Sequence, residues 1–307
     1  MVALQNGPVA APGAPVVSFQ STVPRMDAAA LAVEVVDART SDKLVEQIRR
    51  TGFDLVGIAP TTLPDAWRAR FEDWLARGFH GEMNWMKRSA DERAQPRVRA
   101  PWVRAVIVVA LAYDRPDPEP GGIVSRISRY ARGRSYHNVM RRRLRKAARV
   151  LEQYGASRVA FSSDTAPVAE RELARLAGLG WIGRHSLLLH PRLGSYLFLG
   201  TLFCDLELKP GAPMASHCGT CTACVDACPT NAIVADGVVD ARRCISYLNI
   251  EHRGPFDPPY DADLHGWLHG CDLCQEVCPF VARARRAGLA GDEAFSPREV
   301  WRQVRLA

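Results

Sequence analysis

The stretch CGTCTACVDACP, residues 218–229, places Cys218, Cys221, Cys224 and Cys228 within eleven residues and closes them with Pro229. Thiolates this close either hold one metal site or are shared between two, and the spacing decides which. In C-x2-C-x2-C-x3-C-P the first three cysteines wrap one iron–sulfur cube, while the fourth points away to another. One complete motif therefore requires a second cube. A second group, Cys271, Cys274 and Cys278 before Pro279, is one cysteine short, and Cys244 in DARRCISYL can complete it. The expected assignment is Cys218, Cys221, Cys224 and Cys278 on one [4Fe-4S] cluster and Cys228, Cys244, Cys271 and Cys274 on the other. Paired zinc knuckles fit this spacing poorly. Cys204, in the apolar LGTLFCDL, reads as a buried structural thiol.

The spacing is that of a bacterial ferredoxin, yet the chain has 307 residues, far more than two cubes need. Clusters transfer electrons without choosing a substrate, so the roughly two hundred residues before them must receive the electrons or present something that does. Nine cysteines, eight of them at short spacings in the last third, indicate thiolate ligands in a reducing compartment rather than secreted disulfides. No run approaches the ~18 apolar residues of a membrane span, and the Pro- and Ala-rich residues 1–40 read as a flexible tail in a cytoplasmic protein.

Periodicity predicts a helix from Ser41, a buried strand at FDLVGIA, and a helix from Leu63 whose Trp67, Phe71 and Trp74 belong to the core. A strand is expected at 105–113, then a basic helix running to about Tyr154. The strand RVAFSS delivers Asp164 ahead of the helix TAPVAERELARLAGLG. HSLLLH and GSYLFLGTLF read as strands joined by a turn at Pro191–Gly194. There is no GxGxxG after a strand, so an α+β core is expected rather than a doubly wound sheet. The boundaries expected are a tail over 1–40, a first domain over 41–209, a ferredoxin-like two-cluster domain over 210–285 and a short C-terminal helical segment over 286–307.

From Arg126 to Arg149 there are ten Arg or Lys and no acid. This run is either the solvated face of a helix or a phosphate-contacting surface for nucleic acid, with Tyr130 and Tyr136 placed to stack on bases.

Several stretches taken in order, SSDTAPVAERELARLAGLGWIGRHSLLLHPRLGSYLFLG, CGTCTACVDACPTNAI, RCISYLNIEHRG and HGCDLCQEVCPF, resemble the epoxyqueuosine reductases from about Ser41 to Phe280. The resemblance implies a first domain like that of reductive dehalogenases, an α/β sandwich of nitroreductase type holding base-off cobalamin. It also implies electrons passing through two [4Fe-4S] clusters to reduce the epoxide of epoxyqueuosine in a tRNA anticodon stem-loop to the alkene of queuosine. Asp164 matches the family's proton donor; read from the residues alone it is the N-cap of the following helix. Arg93, Ser128, Arg129, Asp164, Arg184, His185, Ser246, Cys271 and Asp272 fall at positions expected to contact cobalamin, each with a plain structural alternative. DADLHGWL lacks the final glycine of a cobalt-ligating histidine box.

Many family members continue into a helical-repeat extension, whereas this chain stops at Ala307. RNA binding is therefore expected to lean on Arg141, Arg142, Arg143, Arg145 and Arg253. An external low-potential electron donor and a monomer complete the expectation. The competing readings are a reductive dehalogenase acting on a small molecule and a non-catalytic electron carrier.

Overall fold

AVIVVALA is apolar at every position, and a strand of that kind must be covered on both faces. All eight of its residues are buried in the computed structural model, which describes residues 38–116, 122–255 and 264–299. In chain order, α1 (Ala38–Arg49) leads to β1 (Leu55–Ala59), and α2 (Asp65–Ala76) to three short helical turns, α3 (Asn84–Arg88), α4 (Ala90–Ala94) and α5 (Pro96–Arg99). The apolar strand is β2 (Ala105–Ala112). α6 (Tyr136–Gln153), β3 (Val159–Ser162), α7 (Glu170–Leu176), the small hairpin β4 (Trp181–Ile182) with β5 (Leu188–Leu189), and β6 (Leu197–Cys204) follow.

The sheet runs β1-β2-β6-β3 with every pair antiparallel. Strand alternation divides β2 between two cores. Ile107, Val109 and Leu111 pack with Leu44 and Ile48 of α1 and Met140, Leu144 and Leu151 of α6. Val106, Val108 and Ala110 pack with Leu173, Ala174 and Leu176 of α7. The result is an α/β sandwich on an antiparallel sheet, an α+β fold. Gly57 in β1 permits it, because a Cβ there would lie 2.4 Å from the Ala177 carbonyl oxygen at the end of α7.

Four local expectations change. The basic helix begins only at Tyr136; the preceding residues form 3-10 turns at Ile123–Arg126 and Arg129–Ala131. The helix after Asp164 begins at Glu170 with Ala169 at its N-cap position, so Asp164 caps nothing and lies in an open loop. Trp67, Phe71 and Trp74 are half-buried, stacked in a ladder with centroids 5.1 and 6.0 Å apart, and no residue of α2 is fully buried. The Pro191–Gly194 turn exists, bridged by His190 and Gly194, but its flanking strands part: β5 pairs with β4 and β6 with the main sheet. The loop expected at 116–122 falls mostly outside the described residues.

The cysteine-rich segment comprises α8 (Ala223–Asp226), the hairpin β7 (Ile233–Ala235) with β8 (Val238–Val239), α9 (Ile245–Ile250), α10 (Leu273–Glu276) and α11 (Pro279–Arg286). It is built twice over: Thr222 ahead of α8 has φ −114°, ψ 4°, and Asp272 ahead of α10 has φ −113°, ψ 4°. The segment shares the first core, since Cys278, Val281 and Phe295 join the cluster that holds α1 and α6. After α11 the described residues contain a 3-10 turn at Glu293–Phe295 and no α-helix; residues 300–307 of the helical segment expected there lie outside the described residues. That turn packs back on the first domain, with Arg134 N–H donating to Ala294 and Asp292 N–H to Ala112.

Candidate active site

Two quartets of thiols organise the cysteine-rich segment. Burial and then the neighbouring thiols raise the pKa of Cys224 and Cys278; Cys218 and Cys221 are neighbours of both. In the other quartet Cys271 is pushed up to about 12 by burial, with Cys244 and Cys228 beside it, and Cys274 is raised by burial and by Cys271 and Cys244. The complete motif is thus shared: Cys228 sits with the second quartet and Cys278 with the first. Four sulfur donors per set is the complement of a [4Fe-4S] cube, and a bound cube would compensate the cost of four buried thiolates. Among the described residues no three His, Cys, Asp or Glu side chains gather as closely as a single metal ion needs. Cys204 stands apart, wholly buried, its thiol pushed up to about 12 by burial.

A cavity of 320 Å³ opens between this segment and the sheet, lined by Cys228, Cys244, Cys271 and Cys274 together with His185 and Ser246. His185 is 3% exposed, and burial depresses its pKa to about 4, so the ring is neutral at pH 7. Its Nδ1 accepts the Leu187 N–H at 3.2 Å, which puts the proton on Nε2, and Nε2 has no hydrogen-bond partner. A buried donor left unpaired costs about 1–3 kcal/mol, a cost that an acceptor on a bound group would remove. Ser128 also lines the cavity, as does Arg171, which anchors the wall by donating to the Ser186 carbonyl at 2.7 Å.

Asp164 does not line the cavity but acts electrostatically on Arg171, which does; it is exposed, with φ 58° in the left-handed region. Outside glycine that region is sparsely used, and Asp and Asn tolerate it best. The loop is held at several points. Tyr136 O–H donates to Asp164 Oδ2, Asp164 N–H donates to Glu170 Oε1 at 2.9 Å, and Ser163 O–H donates to the Leu199 carbonyl at 2.7 Å. Tyr136 is stacked on Phe198 with centroids 4.5 Å apart; it is a partner of Asp164 and not the free stacking surface its sequence position suggested.

The other expected cofactor contacts divide. Ser128, His185, Ser246 and Cys271 line the cavity. Asp272 is completely buried and accepts from Ser128 Oγ at 2.5 Å and from Arg129 N–H at 2.7 Å. Arg129 pairs with Glu276 at 3.0 Å and Asp114 at 3.4 Å. Both residues form the seam that joins the cysteine-rich segment to the sheet. Arg184 pairs with Asp236 and donates to the Gly219 carbonyl at 2.9 Å, bracing the loop of the first quartet. Arg93 is half-buried over the Trp85 ring, with the Glu170 and Asp164 carboxyls as its strongest electrostatic neighbours.

Of the residues expected to contact RNA, Arg141, Arg142 and Arg145 are exposed on α6 and Arg253 is exposed after α9. Arg143 is different. It is paired with Asp292 at 2.5 Å, its side chain only 15% exposed, and it ties the C-terminal turn to α6.

A model of the 4Fe-4S double cluster binding domain matches residues 217–281, and one described as epoxyqueuosine reductase QueG, DUF1730, matches residues 93–165. The epoxyqueuosine reductase of Gloeobacter violaceus is 44% identical over 274 residues, covering 88% of this chain and 85% of that protein. The chain belongs to the epoxyqueuosine reductase family. Among solved structures, an epoxyqueuosine reductase with an epoxyqueuosine-modified tRNA-Tyr stem loop superposes with a TM-score of 0.74 at 27% identity, over 85% of this chain and 69% of that one. The Bacillus subtilis epoxyqueuosine reductase, solved with its catalytic aspartate loop swung out of the active site, gives 0.70 at 27% identity, over 79% and 65%. A reductive dehalogenase shares the fold alone, with a TM-score of 0.50 at 17% identity over 86% and 35%.

Sequence reasoning missed Glu170 as the partner of the Asp164 backbone. Its only signal was an acid six positions after Asp164, which a continuous helix would have carried to another face.

Proposed function

We propose that this chain reduces the epoxide of epoxyqueuosine in a tRNA anticodon stem-loop to the alkene of queuosine. Two electrons and two protons remove the epoxide oxygen as water. The observation that supports this reading is the cavity itself, where the second thiol quartet faces the His185 wall beside the Asp164 loop. The eight cysteines would hold two [4Fe-4S] clusters in the crosswise sets described. Base-off cobalamin would be held at this cavity, where the unpaired His185 Nε2–H donor and the hydroxyls of Ser128 and Ser246 are the groups present to meet its polar periphery. When bound, the clusters and cobalamin supply low-potential electrons one at a time.

Asp164 would carry the proton to the epoxide oxygen, where negative charge develops as the C–O bond breaks. An exposed carboxyl is a poor acid at neutral pH. The cofactor and the modified base bound over the loop would exclude water from Asp164. The chain would act as a cytoplasmic monomer fed by an external low-potential donor; no helix among the described residues is long and apolar enough to cross a membrane.

Arg141, Arg142 and Arg145 would meet RNA phosphates. Replacing all three by Ala should weaken stem-loop binding and reduce the slope of log K against log salt by about 2–3. Arg143→Ala should instead lower thermal stability. An unchanged slope in the triple variant would return α6 to a solvated face. The proposal as a whole is tested by offering the reconstituted protein, with a strong reductant, the modified stem-loop, the free nucleoside and an aryl halide in parallel. Consumption of the stem-loop in preference to the other two is expected, and preference for the halide would overturn it.

A further inference from the structure

We propose that Glu170 is a positioning residue for the reaction, holding Asp164 in the conformation that presents its carboxyl to the epoxide. The inference rests on the reading of Asp164 as the proton donor. Three observations carry it. Glu170 Oε1 accepts the Asp164 N–H at 2.9 Å, a contact that reaches the backbone of the residue itself. That backbone lies at φ 58°, in the left-handed region that residues with a side chain use sparsely, and the latch fixes it there. Glu170 is the first residue of α7, whose Leu173 and Ala174 are wholly buried against the sheet, so the latch stands on a rigid element.

The groups around Glu170 make the latch sensitive to charge. Asp164, Arg93 and Arg171 face it, and it bears in turn on Tyr136 across the loop. Burial and the Asp164 charge push the Glu170 carboxyl up to about 8. It is therefore neutral at pH 7 and accepts the N–H without adding a second negative charge beside Asp164. As pH rises through about 8 it ionises, and the two carboxylates repel. Nothing in this role requires Glu170 to touch RNA or cofactor, which separates it from Asp164.

Glutamine supplies the same acceptor oxygen and never ionises, so it tests positioning against mere bulk. In the reconstituted holoenzyme, Glu170→Ala should lower the single-turnover rate on saturating modified stem-loop about 10–100-fold, the scale of a misplaced reacting group. Stem-loop affinity and iron content should stay within about twofold of the parent. Glu170→Gln should recover most of that loss and remove the decline in rate above pH of about 8. Asp164→Asn, run alongside, separates the two claims. If Asp164→Asn collapses the rate while Glu170→Ala leaves it unchanged, the latch is wrong and the proton donor stands. If Glu170→Gln is as slow as Glu170→Ala with intact iron content, the neutral acceptor is not what matters and the proposal falls. If Asp164→Asn retains full rate, the reading beneath the latch has failed instead.

Discussion

Asp164→Asn should leave iron content and stem-loop affinity unchanged while epoxide reduction falls about 10²–10⁴-fold, the usual worth of a positioned general acid. Asparagine is the informative replacement. It tolerates the left-handed backbone at φ 58° as well as aspartate does. Its side-chain oxygen can still accept from the Tyr136 hydroxyl, and its N–H can still meet Glu170. Only the transferable proton is lost. Single-turnover kinetics on the modified stem-loop, with iron content and binding measured on the same preparation, checks the result. A rate within about threefold of the parent would remove Asp164 from the chemistry.

The cysteines give the other large effect, because the crosswise sets make opposite predictions for two double variants. Cys224→Ser with Cys228→Ser takes one ligand from each proposed cluster and should abolish both, bringing iron from about eight per chain to near zero. Cys228→Ser with Cys271→Ser takes both from one set and should leave about four. If the contiguous motif were a self-contained site, the first pair would instead spare one cluster. Either variant should lose turnover, since electrons enter through both cubes. Iron analysis with low-temperature electron paramagnetic resonance reads the outcome directly.

The parts of this molecule that were legible in the sequence are those whose physics is local. Cluster ligands lie at short spacings because a cube is small, so the two cysteine groups stood out from the motif, while the crosswise placing of Cys228 and Cys278 is the proposal that the double variants test. β2 was legible because eight consecutive apolar residues demand cover on both faces. Residues whose partners lie far along the chain were not. The run from Arg126 to Arg149 read as either a solvated helix face or a phosphate-contacting surface, yet Arg129 is buried against Asp114 and Glu276 and Arg143 against Asp292. No window of sequence holds both members of those pairs. Trp67, Phe71 and Trp74 looked like core, but their ladder lies at the edge of the fold, where Trp74 Nε1–H reaches the Val239 carbonyl at 2.8 Å. Asp164 was named through the family pattern, while Tyr136 and Glu170, which hold it, became visible only once α6 and α7 were placed.

The mass of the nucleoside released after turnover tests the central claim most directly. Reconstituted protein, strong reductant and an epoxyqueuosine-modified anticodon stem-loop should yield a product lighter than the substrate by one oxygen, the alkene, and none should form without reductant. A product heavier by one water, the diol of simple epoxide hydrolysis, or recovery of unchanged epoxide from protein carrying both clusters and cobalamin, would contradict the account.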